Sequence, residues 1–159
     1  MLVNRMVEKN FQTLFSAWAI KNKSYIKTKF GKCAVFELKL SKTKSIRFDE
    51  LREHQGVALT EVTGVGCYHK ITDQPVSWGA ETKIRFTAKK PFDCFFISES
   101  PAFVVVFFYV KGQRAKDREM IFIRIEDWLK EWKIAEAEGR KSVREEYLRS
   151  IGIVEKLGD

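Results

Sequence analysis

Two ionisable residues stand in an apolar stretch where neither is expected: Glu37 and Lys39, in VFELKL over residues 35–40. Side chains alternate faces along a strand, so Ala34, Phe36, Leu38 and Leu40 point one way while Cys33, Val35, Glu37 and Lys39 share the other. Holding a carboxylate and an ammonium on a buried strand is costly unless they pair or bind a metal. A second carboxylate, Asp93, opens a further hydrophobic run in PFDCFFIS, residues 91–98. Glu, Lys and Asp at strand ends are the makings of a hard-cation site, because Mg2+ takes one or two carboxylates and keeps several waters. The lysine would orient or deprotonate an attacking water, or stabilise charge on a phosphate. The other reading of Glu-x-Lys is an ion pair on an exposed strand edge, which contributes little.

Charge points to the same place. The chain carries 29 Lys and Arg against 21 Asp and Glu, a net +8. Nine basic residues lie between Lys21 and Arg47 (Lys21, Lys23, Lys27, Lys29, Lys32, Lys39, Lys42, Lys44 and Arg47) against one acid, Glu37, so this segment holds the whole excess. A patch of that kind suits a polyphosphate, since each neutralised phosphate releases condensed counterions. A solvated lysine-rich surface that only aids solubility is the plainer alternative. The single acid inside the patch favours the first reading, because it would repel phosphate unless a metal sat on it.

The elements that must position these residues follow from periodicity. Met6, Val7, Phe11, Leu14, Phe15, Trp18 and Ala19 predict an amphipathic helix over 5–20. SYIKTKF alternates Lys27 and Lys29 against Ile26, Thr28 and Phe30, and Gly31-Lys32 makes a turn into CAVFELKL, which predicts a hairpin. A helix is expected over Phe48–Val62 with Asp49 as N-cap, ended by Gly64 and Gly66. CYHKI, KPFDCFFIS, PAFVVVFFYV and MIFIRI read as strands, and DQPVSWGAETK as a loop bearing Trp78, with Asp73 capping its turn. Trp78 and Phe86 are candidates to stack on an unpaired base. EDWLKEWKIAEAEG reads as a helix opened by acids, and a last helix is expected over Ser142–Ile151, giving a helical tail over about 126–159. The order is that of one α/β or α+β sheet domain spanning 1–159, without repeats or linkers.

Other classes are disfavoured. The longest apolar run, AFVVVFFYV at 102–110, has the length of a buried strand rather than a membrane span, and MLVNRMVEKN lacks a signal peptide's apolar block. A soluble cytoplasmic protein is the expectation. Cys33, Cys67 and Cys94 are odd in number and widely spaced, and only His54 and His69 could join them, so neither a disulfide framework nor a zinc cage is suggested.

The segment VFELKLSKTKSIRFDELREHQGVAL resembles the core of the PD-(D/E)XK nuclease superfamily, most closely its RecU-type and archaeal Holliday-junction-resolvase branch and related phage proteins. In those, a Glu-x-Lys strand is followed by a basic Thr/Lys loop, a polar-to-Phe step and a helix carrying His-Gln. KPFDCFFIS, PAFVVVFFY, IFIRIEDWL and RKSV resemble the continuation, so the likeness spans roughly residues 5–145. The resemblance implies a restriction-endonuclease-like α/β fold, with a mixed central sheet flanked by helices. It also implies a Mg2+-dependent endodeoxyribonuclease, with Mn2+ as a possible substitute, that cuts four-way or otherwise branched DNA, leaves a 5′-phosphate and acts as a symmetric homodimer. By that resemblance Glu37 would ligate the metal, Lys39 would be the catalytic lysine and Gln55 would support the site. Glu8 would sit where relatives have an assisting acid, and Lys32, Lys42, Lys44 and Arg47 would hold the backbone. The family's Asp usually lies on the strand before Glu-x-Lys, where SYIKTKFGK offers no acid, so Asp93 is assigned that role from a later strand adjacent in space. Two alternatives stay open: a nucleic-acid-binding protein that keeps the fold without catalysis, and a nuclease of the same fold with another DNA substrate.

Overall fold

The computed structural model describes residues 7–31, 33–70, 94–114 and 117–157. It is a mixed α/β arrangement in which a four-stranded central sheet, ordered β1-β5-β6-β8, is flanked by helices. Its strands are β1 (Val35–Ser41), β5 (Ala102–Phe108), β6 (Glu119–Arg124) and β8 (Ile153–Lys156). The β1–β5 pair is parallel, while β5–β6 and β6–β8 are antiparallel. Two short ribbons stand apart from this sheet: β2 (Ser45–Arg47) with β7 (Ser142–Arg144), and β3 (Cys67–Lys70) with β4 (Cys94–Ile97).

The central strand explains the two-sided core. Every residue of β5 is buried, which fits AFVVVFF, a run apolar on both faces. Phe103, Val105 and Phe107 face one cluster with Phe11, Phe15, Trp18 and Phe30; Val104, Val106 and Phe108 face another with Phe48, Leu51, Leu59 and Trp128. The first face is covered by α1 (Glu8–Lys21) and α2 (Lys23–Phe30). The second is covered by α3 (Glu53–Thr63), α4 (Ile125–Ala137) and α5 (Glu145–Ile151). Helix α1 buries Phe11, Phe15 and Trp18 at four- and three-residue spacing, each worth roughly 1.5–3 kcal/mol of burial. No helix among the described residues is long and apolar enough to cross a membrane.

Three expectations are corrected. Residues 23–30 form α2, not the first strand of a hairpin. Ile26 and Phe30 are four apart, which is both a repeat of the strand period and one helical turn, and packing of both onto the aromatic core selects the helix. Asn22 marks the break between α1 and α2: its backbone N–H and side-chain Nδ2 both donate to the Trp18 carbonyl at 2.9 Å.

The helix expected over 48–62 is shorter. Phe48–Glu50 is a single 3-10 turn, Leu51 is extended and fully buried, and α3 starts at Glu53, with Asp49 paired to Arg47 instead of capping. The expected helical tail over 126–159 contains two strands as well as α4 and α5. Val143 is drawn into the core on β7, and Ile153–Lys156 completes the sheet edge as β8. Gly152 permits the sharp join, since a Cβ there would stand 2.6 Å from Ile121 Cγ2 and 2.9 Å from the Leu148 carbonyl.

Candidate active site

Strand β1 lies at one edge of the central sheet, with Glu37 opposite Val104 and Lys39 opposite Val106 of β5. Its alternation commits Phe36, Leu38 and Leu40 to the aromatic cluster under α1 and α2. Glu37 and Lys39 are left on the opposite face with Val35, which packs toward the core under α3. The lysine is only 7% exposed, whereas the Glu37 side chain retains 26%. An ammonium buried this far requires partners, and it has two.

Lys39 Nζ lies 3.0 Å from Glu37 Oε1 and donates to Gln55 Oε1 at 3.0 Å. Gln55 Nε2 donates to the same Glu37 Oε1 at 2.7 Å, closing a triangle. Gln55 is the third residue of α3, and its Oε1 also accepts from the Arg52 backbone N–H at 3.0 Å, anchoring the first turn. One amide therefore fixes the helix start and both ionised groups. Its orientation is determined by its neighbours, with the carbonyl toward two donors and the NH2 toward a carboxylate. Glutamine suits this position where glutamate would not, since a second carboxylate would repel Glu37.

Beyond Lys39 the strand leads into the loop that carries the exposed Lys42 and Lys44. The hydroxyl of Ser41, 8% exposed, donates to the Ser45 carbonyl at 2.6 Å and accepts from Thr43 N–H at 3.2 Å. Thr43 Oγ1 donates to the same carbonyl at 2.8 Å. Ser41 and Thr43, on either side of Lys42, thus tie the loop through the Ser45 carbonyl, and Lys42 and Lys44 stay exposed. Arg47 is exposed but engaged: its Nε donates to Asp49 Oδ1 at 2.8 Å, which holds the Asp49 carboxyl below its ordinary range.

Glu8 stands away from the triangle. Glu8, in the first turn of α1, lines a groove of about 480 Å³ with Leu40, Lys42, Arg47 and Glu50, at the far end of β1; Glu37 is not part of that groove. Asp93 and Lys32 lie outside the described residues, as do Asp73, Trp78 and Phe86. The strand that follows Asp93, β4, pairs with β3 in a separate ribbon, and the neighbour of β1 in the central sheet is the wholly apolar β5. His54 is exposed on α3. Among the described residues, no three His, Cys, Asp or Glu side chains form a group able to hold a metal ion.

The basic excess is also divided. Lys21, Lys23, Lys27 and Lys29 ride on α1 and α2, on the opposite face of the sheet from the triangle, while Lys42, Lys44 and Arg47 follow directly from β1. Sequence reasoning missed the partner of this second group. Ser45-Ile46-Arg47 pairs antiparallel with Ser142-Val143-Arg144, and the repeated pattern of Ser, a β-branched residue and Arg is the signal that could have found it. Set against models of known protein families, curated proteins and solved structures, the chain has no significant match.

Proposed function

We propose that this chain is a metal-dependent endonuclease acting on branched DNA, on a restriction-endonuclease-like version of the mixed α/β fold. The observation that carries this reading is the closed Glu37–Lys39–Gln55 triangle on a largely buried strand, continuous with a tied loop that exposes Lys42 and Lys44. A pair intended only for the surface would not bury its lysine to 7% or recruit a helix N-terminus to hold it. The order of the elements, a Glu-x-Lys strand, basic loop and helix with His-Gln leading to a parallel strand, supports the resolvase-like resemblance.

The chain's own groups suggest a division of labour. Lys39 Nζ has three protons; Glu37 and Gln55 account for two acceptors, leaving one donor for a phosphodiester oxygen or an attacking water. Glu37, still a quarter exposed, pairs with the lysine and is the carboxylate a hard cation would meet. Lys42 and Lys44, with Arg47 if it releases Asp49, would hold the backbone on either side. Mg2+ or Mn2+ would rest on Glu37 and Asp93; Glu8, in the groove at the far end of β1, is not placed to join them. A bound ion of this kind lowers the pKa of its water and neutralises phosphate charge. The described residues supply one carboxylate at this point, Glu37, one short of the expected pair. Symmetric cutting of a junction would need a homodimer.

A second reading, a nucleic-acid-binding protein that retains the fold without cleavage, is favoured by one observation. Residues 23–30 form α2 where an Asp-bearing strand would stand. Glu37→Gln separates the two. An enzyme would lose metal-dependent cleavage of a labelled four-way junction while keeping junction affinity within a few-fold. Wild-type protein that binds the junction but yields no product in Mg2+ or Mn2+ would overturn the catalytic reading.

A further inference from the structure

The β2–β7 ribbon brings together two basic segments almost a hundred residues apart in sequence. Residues 42–47 (KTKSIR) and 140–144 (RKSVR) contain six cations and no acid. The register places Ser45 opposite Arg144 and Arg47 opposite Ser142. Ile46 and Val143 are buried in the core cluster, so the alternate positions, each Arg facing a Ser across the ribbon, form its outer face. Lys44, Arg47, Lys141 and Arg144 are all exposed.

The ribbon is held from both ends. Phe48 N–H donates to the Lys141 carbonyl at 3.2 Å, and Glu145 N–H donates to the Lys44 carbonyl at 2.9 Å. Its backbone is thereby fixed while its cationic side chains stay in solvent. Of the nearby carboxylates, Asp49 pairs with Arg47 and Glu145 with Arg149 at 2.8 Å, while the exposed Glu50 and Glu146 flank the ribbon. The Arg47–Asp49 pair is more than half exposed on both sides, so an incoming phosphate can displace Asp49 at little cost.

We propose that the outer face of this ribbon, Arg47 and Arg144 flanked by Lys44 and Lys141, binds the phosphodiester backbone of a nucleic acid, extending the surface that begins at Lys42. The two arginines are one two-residue step apart along the ribbon, roughly 7 Å, on the scale of neighbouring phosphates in a strand. Guanidinium groups suit this task because they present paired N–H donors to phosphate oxygens, and the interleaved serine hydroxyls add short donors between them. The inference rests on the nucleic-acid reading of this end of β1 but not on cleavage.

The test is binding of a fluorescein-labelled DNA duplex and four-way junction, read by anisotropy between about 50 and 200 mM salt. It compares wild type, Lys141→Ala/Arg144→Ala, and Lys23→Ala/Lys27→Ala on the opposite face. All the substituted side chains are exposed, so folding should be unchanged, with urea midpoints as the control. Loss of two phosphate contacts should lower the slope of log affinity against log salt by about 1.8 and weaken binding at least ten-fold at low salt, with the α2 variant closer to wild type. Wild-type binding with an unchanged slope in the ribbon variant would overturn this inference and leave the nucleic-acid reading standing. Absence of salt-sensitive DNA binding by the wild type would overturn both.

Discussion

Replacing Lys39 by Met removes the ammonium from the triangle while keeping most of the buried stem volume. The attraction lost is, for a 3.0 Å separation and an effective dielectric of about 20, roughly 5–6 kcal/mol before desolvation. Much of that gross term is offset by the cost of burying Lys39 in the wild type, and the Glu37 side chain, 26% exposed, recruits water once the lysine is gone. The net cost of Lys39→Met should therefore be about 2–3 kcal/mol, below the range for a fully buried pair. Adding Glu37→Leu removes the stranded carboxylate, so the double variant should recover to within about 1 kcal/mol of wild type. Urea unfolding followed by tryptophan fluorescence in EDTA reads these values directly, and a 2 kcal/mol loss moves the midpoint by about 1 M. Near-wild-type stability of the double variant would mean that the ionised pair is kept for something other than stability. A double variant less stable than either single one would refute that reasoning and identify the triangle as a structural staple.

Three more outcomes follow from the packing. Gly152→Ala forces a methyl to within 2.6 Å of Ile121 Cγ2, and chemical denaturation should show a loss of about 1–3 kcal/mol; an unchanged midpoint would mean that the α5–β8 join is slack. Ser41→Ala removes the acceptor of the Thr43 N–H and one of the two donors to the Ser45 carbonyl, costing about 1 kcal/mol and weakening DNA binding several-fold as the lysine loop loosens, with affinity and urea midpoint as readouts. Burial, followed by the hydrogen bond to the Glu155 carboxylate and its charge, pushes the Tyr25 phenol up to about 12, and the Glu131 carboxylate and burial raise Tyr147. Because the folded state holds these protons more tightly, their contribution is fully present below the ordinary value near 10 and is lost as pH rises toward 12. Phenolate absorbance should show Tyr25→Phe removing a late-titrating group; a wild-type Tyr25 ionising near 10 would contradict the contact.

The parts of the fold legible in the sequence are those where one period dominates. The Phe11, Phe15, Trp18 stripe, the unbroken apolar run of β5 and the acid-opened α4 leave no competing reading. Residues 23–30 are ambiguous because a four-residue spacing satisfies both periods, and only contact with the aromatic cluster decides between them. Strands β2, β7 and β8 have three or four residues, too few for alternation to register, and exist because distant segments pair. The Glu37–Lys39 pairing was legible from strand alternation, as was a role for Gln55 from the resemblance. That Gln55 also anchors the start of α3 depends on where the helix begins; an Asp49 cap puts that start three residues before the observed cap, Arg52. Placing Glu8 beside Glu37 required a spatial neighbourhood that sequence order does not contain: Glu8 lies at the other end of β1, while Asp93 is outside the described residues.

The central claim is that the triangle is a cleavage site. Its most direct test is single-turnover cutting of a labelled four-way junction, beside linear duplex and single-stranded controls, with Mg2+, Mn2+ or EDTA, for wild type and Lys39→Ala. The account predicts paired nicks near the junction centre that require metal and fall by about 100-fold or more in the variant, with junction affinity little changed. Metal-dependent nicking that persists at the wild-type rate in Lys39→Ala, or wild-type binding without product in either metal, would contradict it.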